Sequence, residues 1–173
     1  DQMALAEALG CALPVEPWLA NTALCAPLLG DSDNAAHVAA AQDIAEGRAL
    51  AALAAYELQG RHDAFDIVTQ ARKRPDGTWQ IDGAKTLVLG GGSADVLLVL
   101  ARTDGERRDR HGLTLFAMPA STRGIGIHAL PTYDGRQTAT VTLRRVSVAD
   151  DARIGPVDGA WPLVQAAIDR ATV

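Results

Sequence analysis

A chain of 173 residues with 48% hydrophobic content carries enough apolar surface for a packed core, which excludes disorder along its whole length. A formal charge of −5, with Lys and Arg scattered, excludes a coherent basic face, so nucleic acid is not an expected partner. Aromatic residues make up only 4%, so the core must rest on Ala, Leu, Val and Ile, a mixture that suits both helix contacts and pleated sheet.

The chain opens without an initiator methionine and in mid-course of a helical stripe (Met3, Ala6 and Leu9 before Gly10), so an upstream extension is expected. Pro14 and Pro17 interrupt that stripe. Residues 18–29 are again apolar at helical spacing, with Gly30 as a stop. Asp31, Ser32 and Asp33 then offer N-cap oxygens to an Ala-rich helix over 34–46, which Gly47 ends. Cys11 and Cys25 have no Cys-x-x-Cys pairing and no His at a metal-ligand spacing, and read as reduced packing residues. No apolar run approaches the roughly 20 residues that cross a bilayer, and nothing at the start resembles a signal peptide. The expectation is a soluble, cytoplasmic protein with no membrane partner.

After Gly47 helical spacing gives way to short apolar runs separated by Gly, Asp and Pro, the grammar of successive strands. Strands are predicted at 49–57, 67–74, 78–82, 84–89, 95–102, 113–118 and 138–148. Asp76-Gly77 and Asp82-Gly83 favour the positive φ of tight turns and predict two consecutive antiparallel hairpins. In the stretch beginning at Thr138 polar and apolar residues alternate, so one face should be buried while the threonines meet water or a partner. Beyond Gly155, Pro162 sits where a first helical turn tolerates it. Leu163, Val164, Ala167, Ile168 and Ala171 then continue a helix that runs off the end at Val173. The predicted fold class is α+β: an antiparallel, β-barrel-like middle domain over 47–155, flanked by truncated helical domains at 1–46 and 156–173.

No Gly-x-Ser-x-Gly, His-Glu-x-x-His or Walker-type loop occurs. The run Gly90-Gly91-Gly92-Ser93 lacks the Lys-Ser/Thr ending of a phosphate loop and reads as a tight or flexible turn. More informative is Ala55-Tyr56-Glu57-Leu58-Gln59-Gly60-Arg61-His62-Asp63, a polar loop between two strands, because a rigid sheet positions such loops for binding. Glu57 is open to two readings, an ion pair with Arg61 at a strand end or an acid-base role, and His62 is either solvated or a ligand contact. The short basic runs, Arg72-Lys73-Arg74 and Arg107, Arg108 and Arg110, are solvated loop charge or an anion contact.

Taken in order, Tyr56-Glu57, His62-Asp63, Thr69-Gln70-Ala71, Asp76-Gly77-Thr78-Trp79, Asp82-Gly83-Ala84-Lys85, Ala94-Asp95, Ala101-Arg102-Thr103, Leu115-Phe116, Gly124-Ile125-Gly126 and Val146-Ser147-Val148 resemble the middle domain of acyl-CoA dehydrogenases. The residues on either side look like the end of that family's N-terminal helical domain and the start of its C-terminal one. Glu57-Leu-Gln-Gly-Arg-His-Asp, the Asp-Gly-x-Trp turn and Pro131-Thr-Tyr-Asp-Gly are most similar to small subunits of the pimeloyl-CoA dehydrogenase type and related two-gene enzymes of acid and sterol degradation.

The resemblance implies an FAD-dependent oxidation of the Cα–Cβ bond of an acyl-CoA thioester. The base would be a carboxylate in the C-terminal helical domain, so no catalytic residue is assigned within this chain. By position it places Ala55 and Tyr56 beside the flavin, with Leu87 and Leu89 where the family carries Trp and a hydroxyl residue. His62 stands where a serine commonly touches the CoA portion. Tyr56, Leu87 and Leu89 depart from the family pattern. A leucine cannot donate a side-chain hydrogen bond to flavin, a loss of about 0.5–1.5 kcal/mol net. The implied partners are an acyl-CoA, a homologous subunit in a hetero- or homo-oligomer, and an electron-transfer protein. Two alternatives stand beside the enzyme: a flavin-deficient structural subunit that supports an active partner, and a free-standing β-barrel that binds an apolar ligand.

Overall fold

In the computed structural model, residues 2–12 and 17–172 are described. Helix α1 covers Gln2–Ala12, passing through Gly10. The stretch 18–29 is helical as its spacing predicts, but begins as a π-helix, Leu19–Cys25, before α2, Ala26–Gly30. Pro27 has no amide to donate, and Ala26 N reaches back five residues to Asn21 O, the wider turn of a π-helix. Asn21 is buried, and its Oδ1 accepts from Ala51 N at 2.5 Å, pinning this helix to the sheet.

Helix α3 spans Ala35–Ala45. Its N-cap is Asn34, whose Oδ1 accepts from Ala36 N at 2.8 Å, in place of the expected Asp31, Ser32 or Asp33. Ser32 instead supports the cap itself, its Oγ accepting from Asn34 N at 3.2 Å. Gly47, at φ 73°, ends the helix as predicted. Of the two cysteines Cys25 packs in the core, whereas Cys11 is exposed on α1 and corrects the reading of it as a packing residue. Pro14 and Val173 lie outside the described residues.

Eight strands follow: β1 Ala51–Ala54, β2 Gln70–Lys73, β3 Trp79–Leu89, β4 Val96–Arg102, β5 Leu113–Pro119, β6 Ile125–Pro131, β7 Gln137–Val148 and β8 Arg153–Ile154. Helix α4, Trp161–Thr172, carries Pro162 in its first turn. The strands pair in the order β6-β7-β3-β2-β4-β5-β8, with β1 added beside β4. Pairings are antiparallel except β1 with β4 and β2 with β4. This path is open at β6 and β8, so the sheet is barrel-like in its curl but is not a closed barrel.

Alternation divides the interior into two cores. Ala51, Leu53, Leu98, Leu100, Leu113 and Leu115 face the helices, where Leu29, Trp161 and Val164 meet them. Ala52, Ala54, Leu97, Val99 and Phe116 face the opposite way, onto Ile81, Val88, Val141 and Val146 of β3 and β7. Strands β1, β4 and β5 are thus covered on both sides, which is why they read as continuous apolar runs. Thr138, predicted to meet water or a partner, is itself buried, while Thr140 and Thr142 are half-buried.

Asp76-Gly77 forms its hairpin, with Arg74 N donating to Thr78 O at 2.8 Å. Asp82-Gly83 does not. The predicted strands 78–82 and 84–89 are one strand, and the β3–β7 register shifts between Ile81 and Gly83. Asp82 Oδ1 accepts from Arg145 N across this bulge at 2.7 Å. A Cβ on Gly83 would lie 2.7 Å from Thr69 Cα, so close approach of two backbones, not a turn, explains this glycine. The predicted strand 49–57 stops at Ala54, which leaves Tyr56 and Glu57 in the connection that follows. Among the described residues no helix is long and apolar enough to cross a membrane.

Candidate functional site

The connection after β1 lies directly against β3. Thr86 N donates to Tyr56 O at 2.9 Å, and Lys85 Nζ donates to Ala55 O at 3.3 Å. Residues 55–57 and 85–89, separated in sequence, therefore meet at one junction. Ala55 is buried beneath it and Tyr56 is half-buried.

Glu57 anchors this junction. Lys85 Nζ donates to its Oε1 at 2.8 Å, Thr69 N to Oε1 at 3.0 Å, Val68 N to Oε2 at 2.9 Å and Gln59 Nε2 to Oε2 at 2.7 Å. The side chains of Lys85 and Glu57 are 0% and 1% exposed. Burial alone would raise the Glu57 pKa, but the Lys85 charge and these donors outweigh it and hold the carboxyl below its ordinary value. Burial, opposed by Glu57, pushes Lys85 down to about 8. The expected Glu57–Arg61 pair is thus replaced by Glu57–Lys85. With four donors around it and no solvent contact, Glu57 acts as a structural anchor and not as an acid-base group.

A second irregularity in β3 shapes the wall's outer face. Between Lys85 and Val88 the register with β7 slips, and Leu87 takes φ 52°, a conformation unusual for a branched side chain. Leu87 is thereby turned outward at 52% exposure, and Leu89, at the end of the strand, is 42% exposed. The turn that follows holds Gly90 at φ 70° and Gly91 N on Val88 O at 3.0 Å, consistent with a tight turn. Gly91 and Gly92 pack so closely that a Cβ on either would lie 2.7 Å from Val88 Cγ1 or Ala129 Cβ. The run is glycine-rich for packing.

His62 is exposed and lies elsewhere, in a polar cleft of about 400 Å³ that Gln59, Arg61, Asp66, Arg107 and Arg108 also line. Buried Asp66 receives Arg107 Nη2 at 2.8 Å and Arg108 Nη1 at 3.3 Å, and Arg108 Nη2 also reaches Asp63 at 2.8 Å. The hydrogen bond from Arg107 is the main cause holding the Asp66 carboxyl below its ordinary value. Arg107 and Arg108 are therefore paired and not merely solvated. Arg72-Lys73-Arg74 lies in and just after β2 with local partners, Gln70, Asp150 and Gln80. Leu89 also borders an apolar cavity of about 460 Å³, which Leu9, Trp18 and Leu50 line as well.

Sequence reading grouped Ala55, Tyr56, Leu87 and Leu89; the fold sets Ala55 and Tyr56 against Lys85 and Thr86 of β3, the strand that also carries Leu87 and Leu89, and leaves His62 in the neighbouring cleft. It missed Lys85 and Arg102 as organising residues. Lys85 shares β3 with Gln80, Asp82 and Thr86, and Arg102 closes the apolar run of β4, so the sequence marks the partner of neither.

A profile of the family described as "Acyl-CoA dehydrogenase, middle domain" matches residues 52–146. The chain is 33% identical over 100 residues to a short-chain-specific acyl-CoA dehydrogenase of Megasphaera elsdenii, covering 53% of this chain and 26% of that relative. In solved structures it superposes on butyryl-CoA dehydrogenase from Megasphaera elsdenii with a TM-score of 0.82 and 25% identity, over 88% of this chain and 41% of the other. It also superposes on a chain of the ChsE4–ChsE5 complex from Mycobacterium tuberculosis with a TM-score of 0.85 and 19% identity, over 98% of this chain and 44% of that one. The chain thus spans less than half the length of these relatives, and the profile match covers more than half of the chain itself. By that match, the chain belongs to the acyl-CoA dehydrogenase family.

Proposed function

We propose that this chain forms the β-wall of an FAD-dependent acyl-CoA dehydrogenase that introduces a Cα–Cβ double bond into an acyl-CoA thioester. The observation that carries this reading is the junction of residues 55–57 with 85–89, after which Gln59 to Asp63 line a polar cleft, while Leu89 lines an apolar cavity. Leu50 borders the cavity, Gln59 to His62 border the cleft, and Tyr56 lies between them along the chain. A thioester with an apolar acyl group and a polar, phosphorylated carrier has the same polarity sequence.

The wall fits one part of a flavin better than another. Leu87 and Leu89 expose apolar surface for the ring face. Neither supplies a side-chain donor for the ring's polar edge, which leaves that role to main-chain groups. Ala55, Tyr56, Leu87 and Leu89 would hold the ring, and His62 would meet the CoA portion. When bound, FAD supplies the hydride acceptor. This chain's contribution is to pack the ring, exclude water from that side and orient the thioester; the proton acceptor comes from the helical domain that the family carries after this one.

The leucines at 87 and 89 favour a second reading, a flavin-deficient subunit that supports an active partner. Both readings accommodate a hetero-oligomer, an arrangement that the fold likeness to a chain of the ChsE4–ChsE5 complex motivates. The visible absorption spectrum of the full-length protein, expressed alone and with its partner, separates them. Flavin absorption in the protein alone, bleached by an acyl-CoA, supports the enzyme. Flavin seen only on co-expression supports the second reading, and flavin in neither preparation refutes both.

A further inference from the structure

The polar cleft is built from two loops that one buried cation ties together. Arg102, at the end of β4, is 7% exposed, and its guanidinium, with one Nη2 hydrogen shared, donates to six main-chain carbonyls. Nε reaches Ile67 O at 3.3 Å; Nη2 reaches Phe65 O at 3.3 Å, Arg107 O at 3.0 Å and Asp109 O at 2.8 Å; Nη1 reaches Asp104 O at 3.1 Å and His111 O at 2.9 Å. Two of these carbonyls belong to the loop after Glu57 and four to the β4–β5 loop. Ile67 N donating to Arg107 O at 3.1 Å adds a direct tie between them.

The arrangement also sorts the cleft's charges. With the β4–β5 loop held in place, Arg107 is committed to Asp66, and Arg108 to Asp63 and Asp66. Arg61 and His62 line the same cleft, and neither has a hydrogen bond or ion pair among the described residues. Without Arg102 the two loops would lose six anchors between them, and Asp63 and Asp66 would be freed to compete for Arg61. No neutral side chain, and no lysine with its single compact ammonium, can satisfy six carbonyls that converge from two loops.

We propose that Arg102 is a positioning residue for binding of the nucleotide end of coenzyme A: it fixes the two loops so that Arg61 and His62 remain available to the phosphates. The proposal rests on the reading that this cleft receives the CoA portion. Arg102 does not touch the ligand; it acts through the loops it holds.

The test uses the full-length protein with free coenzyme A and pantetheine as probes, which differ only in the phosphorylated nucleotide, and titration calorimetry as the readout. Wild type is expected to bind coenzyme A at least about tenfold more tightly than pantetheine, with the preference shrinking as salt rises. Arg102→Met is expected to remove most of that preference while leaving the affinity for pantetheine within about twofold. Arg102→Lys, a milder change that keeps the charge, should lose a large part of the preference too. A merely structural role would lower the melting temperature and weaken both probes together. If wild type has no preference, the CoA reading of the cleft fails and the proposal with it. If wild type prefers coenzyme A and folded Arg102→Lys keeps the full preference, the cleft reading stands and positioning by Arg102 is overturned.

Discussion

Replacing Lys85 by Met removes one member of an ion pair whose side chains are 0% and 1% exposed and 2.8 Å apart. Glu57 would keep its hydrogen bonds from Val68, Thr69 and Gln59 but lose the one cation paired with it among the described residues, and Ala55 O would lose its ammonium donor. Breaking a buried pair from one side costs about 3–5 kcal/mol because the remaining charge stays buried. At an m-value of about 2 kcal/mol/M the urea midpoint of the full-length protein should fall by about 2 M. Adding Glu57→Gln should recover part of that loss, since the amide oxygen still accepts a main-chain N–H and no charge remains; the double variant is expected within about 1–3 kcal/mol of wild type. The pH dependence supplies a second signature. Lys85 is pushed down from 10.5 to about 8, so the unfolded chain binds more protons between those values and wild-type stability gains from this group as pH rises there. That contribution should vanish in Lys85→Met. A midpoint change below about 0.3 M for Lys85→Met, or a double variant as damaged as the sum of the two singles, would refute the anchoring role of this pair.

Three further outcomes are expected. Glu57 and Asp66 both titrate below their ordinary values of 4.5 and 3.8 in the folded chain, so their stabilisation is fully present above those values and is lost as pH falls through the folded ones. Glu57→Gln should therefore flatten the fall in melting temperature between about pH 5 and about pH 3. Gly83→Ala places a Cβ 2.7 Å from the backbone of Thr69 and should cost about 2–4 kcal/mol in chemical denaturation, whereas Gly77→Ala, with open space around it, should cost less. Leu89→Thr returns a hydroxyl to the wall and should tighten FAD binding by about threefold to tenfold in a fluorescence-quenching titration of the full-length protein; unchanged affinity would mean that position 89 does not face the ring's polar edge.

The sheet was legible in the sequence wherever strands are buried on both faces or joined by a standard turn. Strands β4 and β5 are apolar runs between two cores, and Asp76-Gly77 announces its hairpin. Edge strands were not legible. β6 is exposed along nearly its whole length, and its short alternation is broken by Gly126, Leu130 and Pro131, while β8 has only two residues. Asp82-Gly83 misled because a glycine demanded by close approach to Thr69 has the same letter as one demanded by a turn. At the site, positional likeness grouped Tyr56, Leu87 and Leu89, but Glu57 was given the wrong partner. Arg61 is four residues away, whereas Lys85 is brought in by a long-range pairing that only the fold provides. Arg102 was hidden for the same reason, since its partners are carbonyls and carry no side-chain signature.

The role of the β-wall depends on which face of the sheet meets the redox ring. A structure of the full-length protein with FAD and an unreactive acyl-CoA analogue tests it most directly. The prediction is an isoalloxazine ring in van der Waals contact with Leu87 and Leu89 beside Tyr56, with the CoA phosphates within reach of Arg61 and His62. A flavin seated away from residues 55–57 and 85–89, or a thioester that never approaches this surface, would contradict it.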